Sequence, residues 1–412
     1  MAPRTGAIDG GLRAGTGRVR GLAAMVGVVV LAAACSGGGD DDAGADEGGD
    51  EAVGAEVAQF GGSVDAFYEV PDPLPPGEPG DLIRTMPIDA PAGEVGLRIM
   101  YHSTDAEGDD RAVTGVVYSP TAEAPEAGWP IVAWAHGTSG LAAPCAPSRN
   151  PAPPPGFGVQ GVRVATDYIG LGPEGEVHPY LSAAAEGNAV VDGVAAARSL
   201  PELGAGDEWV VAGVSQGGHA ALMTNELAAD RLPEAELLGS VAIAPGSQLG
   251  EIYGDDLQAR VITTMVLVGV AAEDPDVDLG DYLGPEALSA SAVIEAGCVG
   301  DIIGTMAGIA ASPDYFVTDP RTTPLGTAWL EQNDPGHVAS ESPLLLVQGG
   351  QDTLVLPART AALLERLCGL GQVVDTLDVP SANHDTVTDQ AGADIAPWIA
   401  ARFAGDPATD DC

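Results

Sequence analysis

The chain contains the stretch Trp209-Val-Val-Ala-Gly-Val-Ser-Gln-Gly-Gly-His-Ala-Ala-Leu-Met223, in which an apolar, strand-like run passes through a tight turn into a helix-like run. Ser215 lies at the tip of that turn. Gly213 and Gly217 permit a sharp backbone that would hold the serine hydroxyl clear of its neighbours. Gly-x-Ser-x-Gly is a weak pattern alone, and a serine that only caps the helix is the alternative. The strand-turn-helix context favours a nucleophile.

Segments of alternating type surround this turn and predict an α/β fold. The apolar runs predict strands at residues 131–135, 162–166, 209–213, 239–244, 344–348 and 372–379. The segments between them predict helices at residues 181–200, 216–229, 357–367 and 389–403. Such alternation is typical of a mostly parallel sheet that is covered by helices on both faces. An antiparallel hairpin, residues 95–102 and 112–118, would precede it.

The first predicted helix, residues 181–200, is amphipathic. Its small apolar residues would lie against the sheet, with Glu186 and Arg198 toward water.

The alternation stops between Gly246 and Glu341, a segment rich in Ala, Gly and Asp with short helical runs. We interpret residues 246–341 as an inserted, mainly helical cap. The sheet domain would then consist of residues 63–245 and 342–412.

The formal charge is −44, from 60 acidic and 16 basic residues. A surface of this sign repels the phosphate backbone, which excludes nucleic acid as a partner.

The N-terminus predicts export. Several arginines precede an apolar run, Gly21–Ala34, which is shorter than the ~20 residues that a membrane span needs. Residues 1–34 are therefore predicted to be a signal peptide.

Leu31-Ala-Ala-Ala-Cys35 resembles the lipobox of bacterial lipoproteins, which implies cleavage before Cys35 and its lipidation. Ala32 stands where the lipobox usually has Leu, so a plain secreted form is the alternative. Residues 35–62 are mostly Gly, Ala, Asp and Glu and would form a disordered acidic tether.

A serine hydroxyl needs a base to accept its proton and an acid to orient that base. Asp352 follows the strand that ends at Gln348, and His384 follows the strand that ends at Val379. The carboxyl ends of parallel strands share one edge of a sheet, so both side chains can reach Ser215. Taken singly, each is more typical of a solvated or capping loop residue. Their order after the serine favours a catalytic triad.

The tetrahedral oxyanion needs two donors that are in place beforehand. We expect one to be the backbone N–H of Gln216 and the other the backbone N–H of Thr138. His136 is predicted to be structural, and His219, one turn beyond Ser215, to be a packing residue. No metal or other cofactor is expected, since the remaining histidines lack a paired ligand spacing: His102, His178 and His337.

Four motifs occur together in this chain: Ala133-Trp-Ala-His-Gly-Thr138, Asp167-Tyr-x-Gly-Leu-Gly172, His178-Pro-Tyr180 and Gly213-x-Ser-Gln-Gly-Gly218. Their combination resembles the secretory lipase family of the α/β-hydrolase superfamily, over residues 67–412. The resemblance implies a serine esterase or lipase with a helical cap that acts on an ester or lipid through an acyl-enzyme. It also implies that Ser215, Asp352 and His384 form the triad.

Four cysteines lie in the predicted mature fold: Cys145, Cys298, Cys368 and Cys412. Export favours disulfides, and four cysteines allow three pairings, with free buried thiols as the alternative. The resemblance implies the pairs Cys145–Cys298 and Cys368–Cys412. These would tie the cap to the loop after the first parallel strand, and the C-terminal tail to the last helical layer.

Three functions therefore have to be compared. The leading one is a carboxylic ester hydrolase on the outer face of the cell membrane, or secreted. A serine peptidase of the same fold is the second, although the sequence shows no β-rich gate domain. The third is a non-catalytic surface-binding lipoprotein, against which the intact triad argues. The apolar runs 261–272 and 301–310 of the predicted cap favour walls for an acyl chain.

Overall fold

The computed structural model describes residues 59–254, 256–309 and 312–412. A nine-stranded sheet runs through the described chain in the order β1-β2-β3-β5-β4-β6-β7-β8-β9. Its strands are β1 (Leu82–Ile88), β2 (Glu94–Thr104), β3 (Asp110–Pro120), β4 (Trp129–Ala135), β5 (Val162–Thr166), β6 (Ala205–Val214), β7 (Glu236–Ile243), β8 (Leu344–Gly349) and β9 (Val374–Val379). Strands β4 to β9 are parallel, and β1, β2 and β3 form an antiparallel meander that joins β5.

The α-helices of the described residues are α1 (Val64–Phe67), α2 (Ala189–Arg198), α3 (Gln216–Arg231), α4 (Leu257–Glu273), α5 (Pro285–Ala296), α6 (Val299–Ile309), α7 (Pro324–Asn333), α8 (Pro357–Leu370) and α9 (Val387–Phe403). Helices α2, α3 and α8 cover one face of the sheet, and α9 covers the other. This arrangement confirms the predicted α/β class with a mostly parallel, helix-flanked sheet.

Strand β6 shows why the parallel strands are apolar throughout. Trp209 and Val211 pack with α2 and α3, whereas Val210 and Ala212 point to the opposite face and pack with α9. All four side chains are fully buried. A strand covered on both faces has no solvent side, so its sequence reads as a continuous apolar run.

The antiparallel part of the sheet differs from the prediction in one respect. The expected hairpin is present as β2 and β3, but β1 was not predicted. This strand contains Arg84 and Pro87 and is mostly half-exposed. Proline and charged residues are tolerated at a sheet edge, where part of the backbone needs no partner, so β1 lacks the apolar signal of a central strand.

Residues 246–341, which we call the insert, fold mainly as helices α4 to α7. Their apolar side chains form a separate cluster in which Met265, Ile294, Ile302 and Met306 are fully buried. Tyr180 and Leu181 of the sheet domain belong to the same cluster. The insert therefore packs on the segment before α2.

Two disulfides fasten the fold. Cys145, in the loop after β4, pairs with Cys298, between α5 and α6 of the insert. Cys368 of α8 pairs with Cys412 at the C-terminus. These are the two pairs that the family resemblance implied.

The predicted signal peptide, the lipidation site at Cys35 and nearly all of the tether lie outside the described residues. Within residues 59–254, 256–309 and 312–412, none of the helices is both long and apolar enough to cross a membrane.

Candidate active site

Ser215 occupies a strained turn between β6 and α3. Its backbone has φ 59° and ψ −114°, a sparsely populated conformation that costs roughly 1–3 kcal/mol. Its N–H donates to the Ile243 carbonyl at 2.9 Å, and its own carbonyl accepts from Gly246 N at 2.9 Å and His219 N at 3.0 Å. Hydrogen bonds to the end of β7 and to the first turn of α3 thus hold the turn in place.

The turn packs directly on the end of β4. A Cβ on Gly217 would lie 1.9 Å from the carbonyl oxygen of Ala135, a distance that no side chain could accept. Beside it, a Cβ on Gly137 would lie 3.9 Å from the Cβ of Ser215. The loop that contains His136, Gly137 and Thr138 therefore runs alongside the nucleophile candidate.

Asp352 and His384 are brought together by the ends of β8 and β9. His384 Nδ1 lies 2.7 Å from Asp352 Oδ2. The second carboxylate oxygen accepts from the backbone N–H groups of Leu354, at 2.8 Å, and Val355, at 2.9 Å. Asp352 is only 3% exposed. A carboxylate oxygen accepts hydrogen bonds, so the ring proton lies on Nδ1, which leaves Nε2 of His384 with a free electron pair.

Ser215, Asp352 and His384 all follow parallel strands and lie at the same edge of the sheet. Among the residues that the structure describes, the Ser215 hydroxyl makes no hydrogen bond to His384. Catalytic hydrogen bonds are often long in enzymes without substrate and tighten when substrate binds. The structure thus pairs Asp352 with His384 and places Ser215 at the same edge of the sheet.

Thr138 and Gln216 line a pocket of about 470 Å³ together with Ser215. This volume lies within the range of about 300–1,000 Å³ that is usual for ligand sites. Gln216 is the first residue of α3, so its backbone N–H has no acceptor within the helix. The hydroxyl groups of Thr138 and Tyr180 are 2.6 Å apart. Both expected oxyanion donors therefore border the serine pocket.

His136 has an environment that keeps it neutral. Burial lowers its pKa to about 4, against the opposing effect of its hydrogen bonds to backbone carbonyl groups. Nδ1 contacts the Gly137 carbonyl at 2.7 Å, and the ring packs on Tyr168 with centroids 4.4 Å apart. These contacts agree with the structural role expected for His136.

A buried cluster beneath the serine turn was not predicted. Glu186, His178 and His219 have fully buried side chains. The expectation that Glu186 faces water is wrong: a π-helical turn, Ala184–Asn188, precedes α2. A π turn holds more residues than an α turn, so the 3.6-residue period behind the prediction does not apply there. The sequence signal available was His219 itself, a histidine one turn beyond the serine.

Both ring nitrogens of His219 face acceptors. Nδ1 donates to Glu186 Oε2 at 2.6 Å, and Nε2 donates to the Asn333 carbonyl at 2.8 Å. Two donated hydrogen bonds require the imidazolium form. Burial lowers the pKa of His219, but the Glu186 carboxylate outweighs this effect and raises it. The expected packing role accounts for the burial of His219 but not for its charge.

The carboxylate of Glu186 is ionised because it pairs with the charged ring of His219. Burial raises the pKa of Glu186, whereas the charge of His219 and the hydrogen bond that His219 donates lower it, to about 2. Glu186 and His219 therefore form a buried ion pair of zero net charge.

The side chain of Gln216 closes this cluster. Its Nε2 donates to Glu186 Oε1 at 2.8 Å and to His178 Nε2 at 2.7 Å. His178 Nδ1 in turn donates to the Ile169 carbonyl at 2.7 Å, and its Nε2 is the acceptor for the Gln216 amide. Gln216, whose backbone N–H is one expected oxyanion donor, is thus held through its side chain by the buried side chains of Glu186 and His178.

The fold is that of the α/β-hydrolase class. Lipase A from Candida antarctica in its closed state is similar, with 17% identity and a TM-score of 0.68 over 84% of this chain and 87% of that chain. The ligand-bound rice cell wall degrading esterase LipA from Xanthomonas oryzae is also similar, with 19% identity and a TM-score of 0.62 over 79% of this chain and 98% of that chain. Both likenesses show the α/β-hydrolase fold.

The chain belongs to the secretory lipase family, whose sequence pattern matches residues 158–411. No curated protein sequence matches it significantly. The protein is therefore a carboxylic ester hydrolase of the lipase and esterase type, the first of the three functions compared from the sequence, and its family suggests export.

The buried ion pair predicts a specific dependence of stability on pH. The pKa of His219 is raised above the value of about 6.5 in an unfolded chain, so its stabilising contribution is complete below about pH 6.5 and is lost as the pH rises through the raised pKa. In Glu186→Gln, the amide can donate to a neutral His219, so the variant lacks this stabilising contribution.

We therefore expect the difference in Tm, wild type minus variant, to be largest at about pH 5 and to shrink as the pH rises to about 9.

Thermal unfolding followed by circular dichroism at each pH measures this difference. Asp334, whose charge also raises the pKa of His219, is present in both proteins, so the comparison isolates Glu186. A difference that stays constant across the range would show that the pair is not ionised.

Proposed function

We propose that the chain hydrolyses carboxylic esters with Ser215 as nucleophile, His384 as general base and Asp352 as the acid that orients and stabilises His384. The hydrogen bond of 2.7 Å between His384 Nδ1 and Asp352 Oδ2 carries this proposal. It fixes the tautomer that leaves Nε2 basic, at the same sheet edge as Ser215.

The reaction would proceed in two halves. His384 Nε2 takes the proton of Ser215 Oγ while Oγ attacks the ester carbonyl carbon, and the carbonyl oxygen becomes an oxyanion. The backbone N–H groups of Thr138 and Gln216 stabilise that oxyanion. Its collapse breaks the bond to the alcohol oxygen, which receives the proton from His384, and an acyl-enzyme remains. Water, deprotonated by His384, then attacks the acyl carbon. The bond between that carbon and Ser215 Oγ breaks, His384 returns the proton to Oγ, and the carboxylic acid is released.

We further propose that the insert, residues 246–341, is a cap that binds the acyl chain, on a core of residues 63–245 and 342–412. A second, smaller pocket of about 60 Å³ is lined mostly by apolar side chains. It shares Leu181, Ile252 and Ile262 with the serine pocket. Residues from α4 and α7 supply further walls, namely Val266, Val270, Leu325, Trp329 and Leu330.

The two apolar runs of the insert differ in role. In the run 261–272, Met265 and Val268 are buried in the cluster of the insert, whereas Ile262 and Val266 line the pocket. In the run 301–310, Ile302 packs in the same cluster and Ile303 is 52% exposed. Only the first run supports acyl binding.

The triad makes a direct prediction. Ser215→Ala should lower kcat by several orders of magnitude, up to about 10⁶-fold, because no other nucleophile replaces the hydroxyl. Asp352→Asn should lower kcat by up to about 10⁴-fold, because an amide leaves His384 in the wrong tautomer. Both variants should keep the wild-type Tm to within a few degrees, and a fluorophosphonate probe should label the wild type at Ser215 alone.

Asp378→Asn is the matched control for the acid, because Asp378 lies at the end of β9 near His384 in sequence but is exposed. It should retain wild-type kcat. Labelling of another residue, or a nearly silent Asp352→Asn beside an inactive Asp378→Asn, would overturn the assignment.

The apolar pocket predicts a preference for longer acyl chains. Each buried methylene contributes about 0.8 kcal/mol, so kcat/KM for p-nitrophenyl esters should rise about fourfold per carbon until the pocket is filled. Ile262→Trp would obstruct the passage between the two pockets. It should lower kcat/KM for octanoate about tenfold and leave acetate within about twofold.

Ile303→Trp is the control, since this exposed side chain of α6 lines neither pocket. Activity that is highest for acetate and absent for octanoate would indicate a small-ester hydrolase. Cleavage of peptide amides without an ester preference would favour the peptidase alternative.

We also propose that residues 1–34 are removed on export and that lipidated Cys35 anchors the enzyme through the tether of residues 35–62. In a bacterial host, the wild type should sediment with membranes and incorporate an alkyne-labelled fatty acid. Cys35→Ser should lose the label and the membrane association. An unlabelled wild type in the culture medium would instead indicate a plain secreted form.

A further inference from the structure

The buried pair of Glu186 and His219 has no place in the proton transfers of the triad. Both nitrogens of His219 already donate hydrogen bonds, so it has no free electron pair with which to accept a proton from Ser215. A buried ion pair is also weak support for stability as such, because the desolvation of both charges offsets much of their attraction. Its position beneath the serine turn requires another explanation.

Glu186 accepts hydrogen bonds from two residues that line the serine pocket. Its Oε1 accepts from the side chain of Gln216 at 2.8 Å and from the backbone N–H of Leu181 at 2.9 Å. Gln216 supplies one proposed oxyanion donor. Leu181 directly follows Tyr180, whose hydroxyl contacts that of Thr138, the residue of the other proposed donor. One carboxylate therefore anchors both halves of the proposed oxyanion hole.

His219 extends the same network to the insert. It donates to the carbonyl of Asn333, the last residue of α7. The side chain of Asn333 accepts from Ala183 N at 2.7 Å, and Asn333 is 5% exposed. The cationic ring thus fixes against the core the end of α7, the helix whose Trp329 and Leu330 line the apolar pocket.

We propose that Glu186 is a positioning residue for ester hydrolysis: its carboxylate, paired with His219, holds Gln216 and the 180–181 segment so that the two oxyanion donors point at one place. This inference rests on the proposed oxyanion hole of Thr138 and Gln216. Preorganised donors stabilise a transition state because they need not reorient when the charge develops. A loosened Gln216 would therefore slow the reaction without a comparable loss of substrate binding.

Glu186→Ala tests the proposal in the full-length enzyme, with kcat expressed per active site titrated by a fluorophosphonate. We expect kcat to fall about 10- to 100-fold, less than the ~10²–10³-fold cost of deleting an oxyanion donor, with KM changed less than about threefold. The Ki of an alkyl trifluoromethyl ketone, whose adduct carries an oxyanion, should rise by the same factor as kcat/KM falls.

Glu186→Gln should restore kcat to within about threefold of the wild type, because the amide oxygen still accepts from Gln216 and Leu181. Asp192→Asn is the matched structural control. Asp192 is a buried carboxylate of α2 that accepts from Ser103 and pairs with Arg231 at 2.6 Å. It should lower Tm and leave kcat per titrated site and the Ki unchanged.

If Glu186→Ala does not fold, Gln216→Met removes the same link from the other side with little change in volume, and the same losses are expected. A folded Glu186→Ala or Gln216→Met with kcat and Ki within twofold of the wild type would overturn the proposal. So would a kcat loss in Asp192→Asn equal to that in Glu186→Ala. Failure of the probe to label Ser215 would instead refute the proposed triad, so the two failures are distinguishable.

Discussion

The close approach of the serine turn to the end of β4 is the constraint on which the site depends. Gly217 lies so near the Ala135 carbonyl that no Cβ fits, which lets α3 begin directly above the sheet. Adjacent parallel strands are about 4.8 Å apart, so the loops after β4 and β6 emerge side by side. The loop that contains Thr138 and the turn that contains Ser215 therefore lie against each other. Asp352 and His384, the proposed acid and base, follow β8 and β9 at the same edge.

Two buried carboxylates hold histidines near this turn, and their surroundings give those histidines different chemistry. Asp352 uses one oxygen for His384 and the other for two backbone N–H groups, which leaves Nε2 of His384 unoccupied. Glu186 pairs with a ring whose second nitrogen already binds the Asn333 carbonyl. A histidine with an unoccupied nitrogen can transfer protons, whereas one with both nitrogens occupied can only hold its neighbours in place. The proposed roles of His384 and His219 therefore differ because the second ring nitrogen of His219 already donates a hydrogen bond.

The sequence predicted the parts of the fold that follow from simple patterns. Strands covered on both faces are continuous apolar runs, and the loops after β8 and β9 contain the carboxylate and the histidine in the order that the fold requires. The edge strand β1 was missed because a half-exposed strand with Arg84 and Pro87 lacks that signal. Glu186 was misplaced because a π turn breaks the helical period. Neither the ion pair nor its contact with Asn333 could be derived, since both depend on side chains that are distant in sequence.

The insert is held to the core by bonds of different kinds. A disulfide fixes Cys298 to the loop that follows β4, and hydrogen bonds fix Asn333 to His219 and Ala183. Lifting the whole insert from the core would break those hydrogen bonds, expose a buried cation and still leave the disulfide in place. Side-chain rearrangement within α4 breaks none of these bonds. Side chains of α4 that line the apolar pocket, such as Ile262, can therefore rearrange while the bonds of Cys298 and Asn333 keep the insert attached to the core.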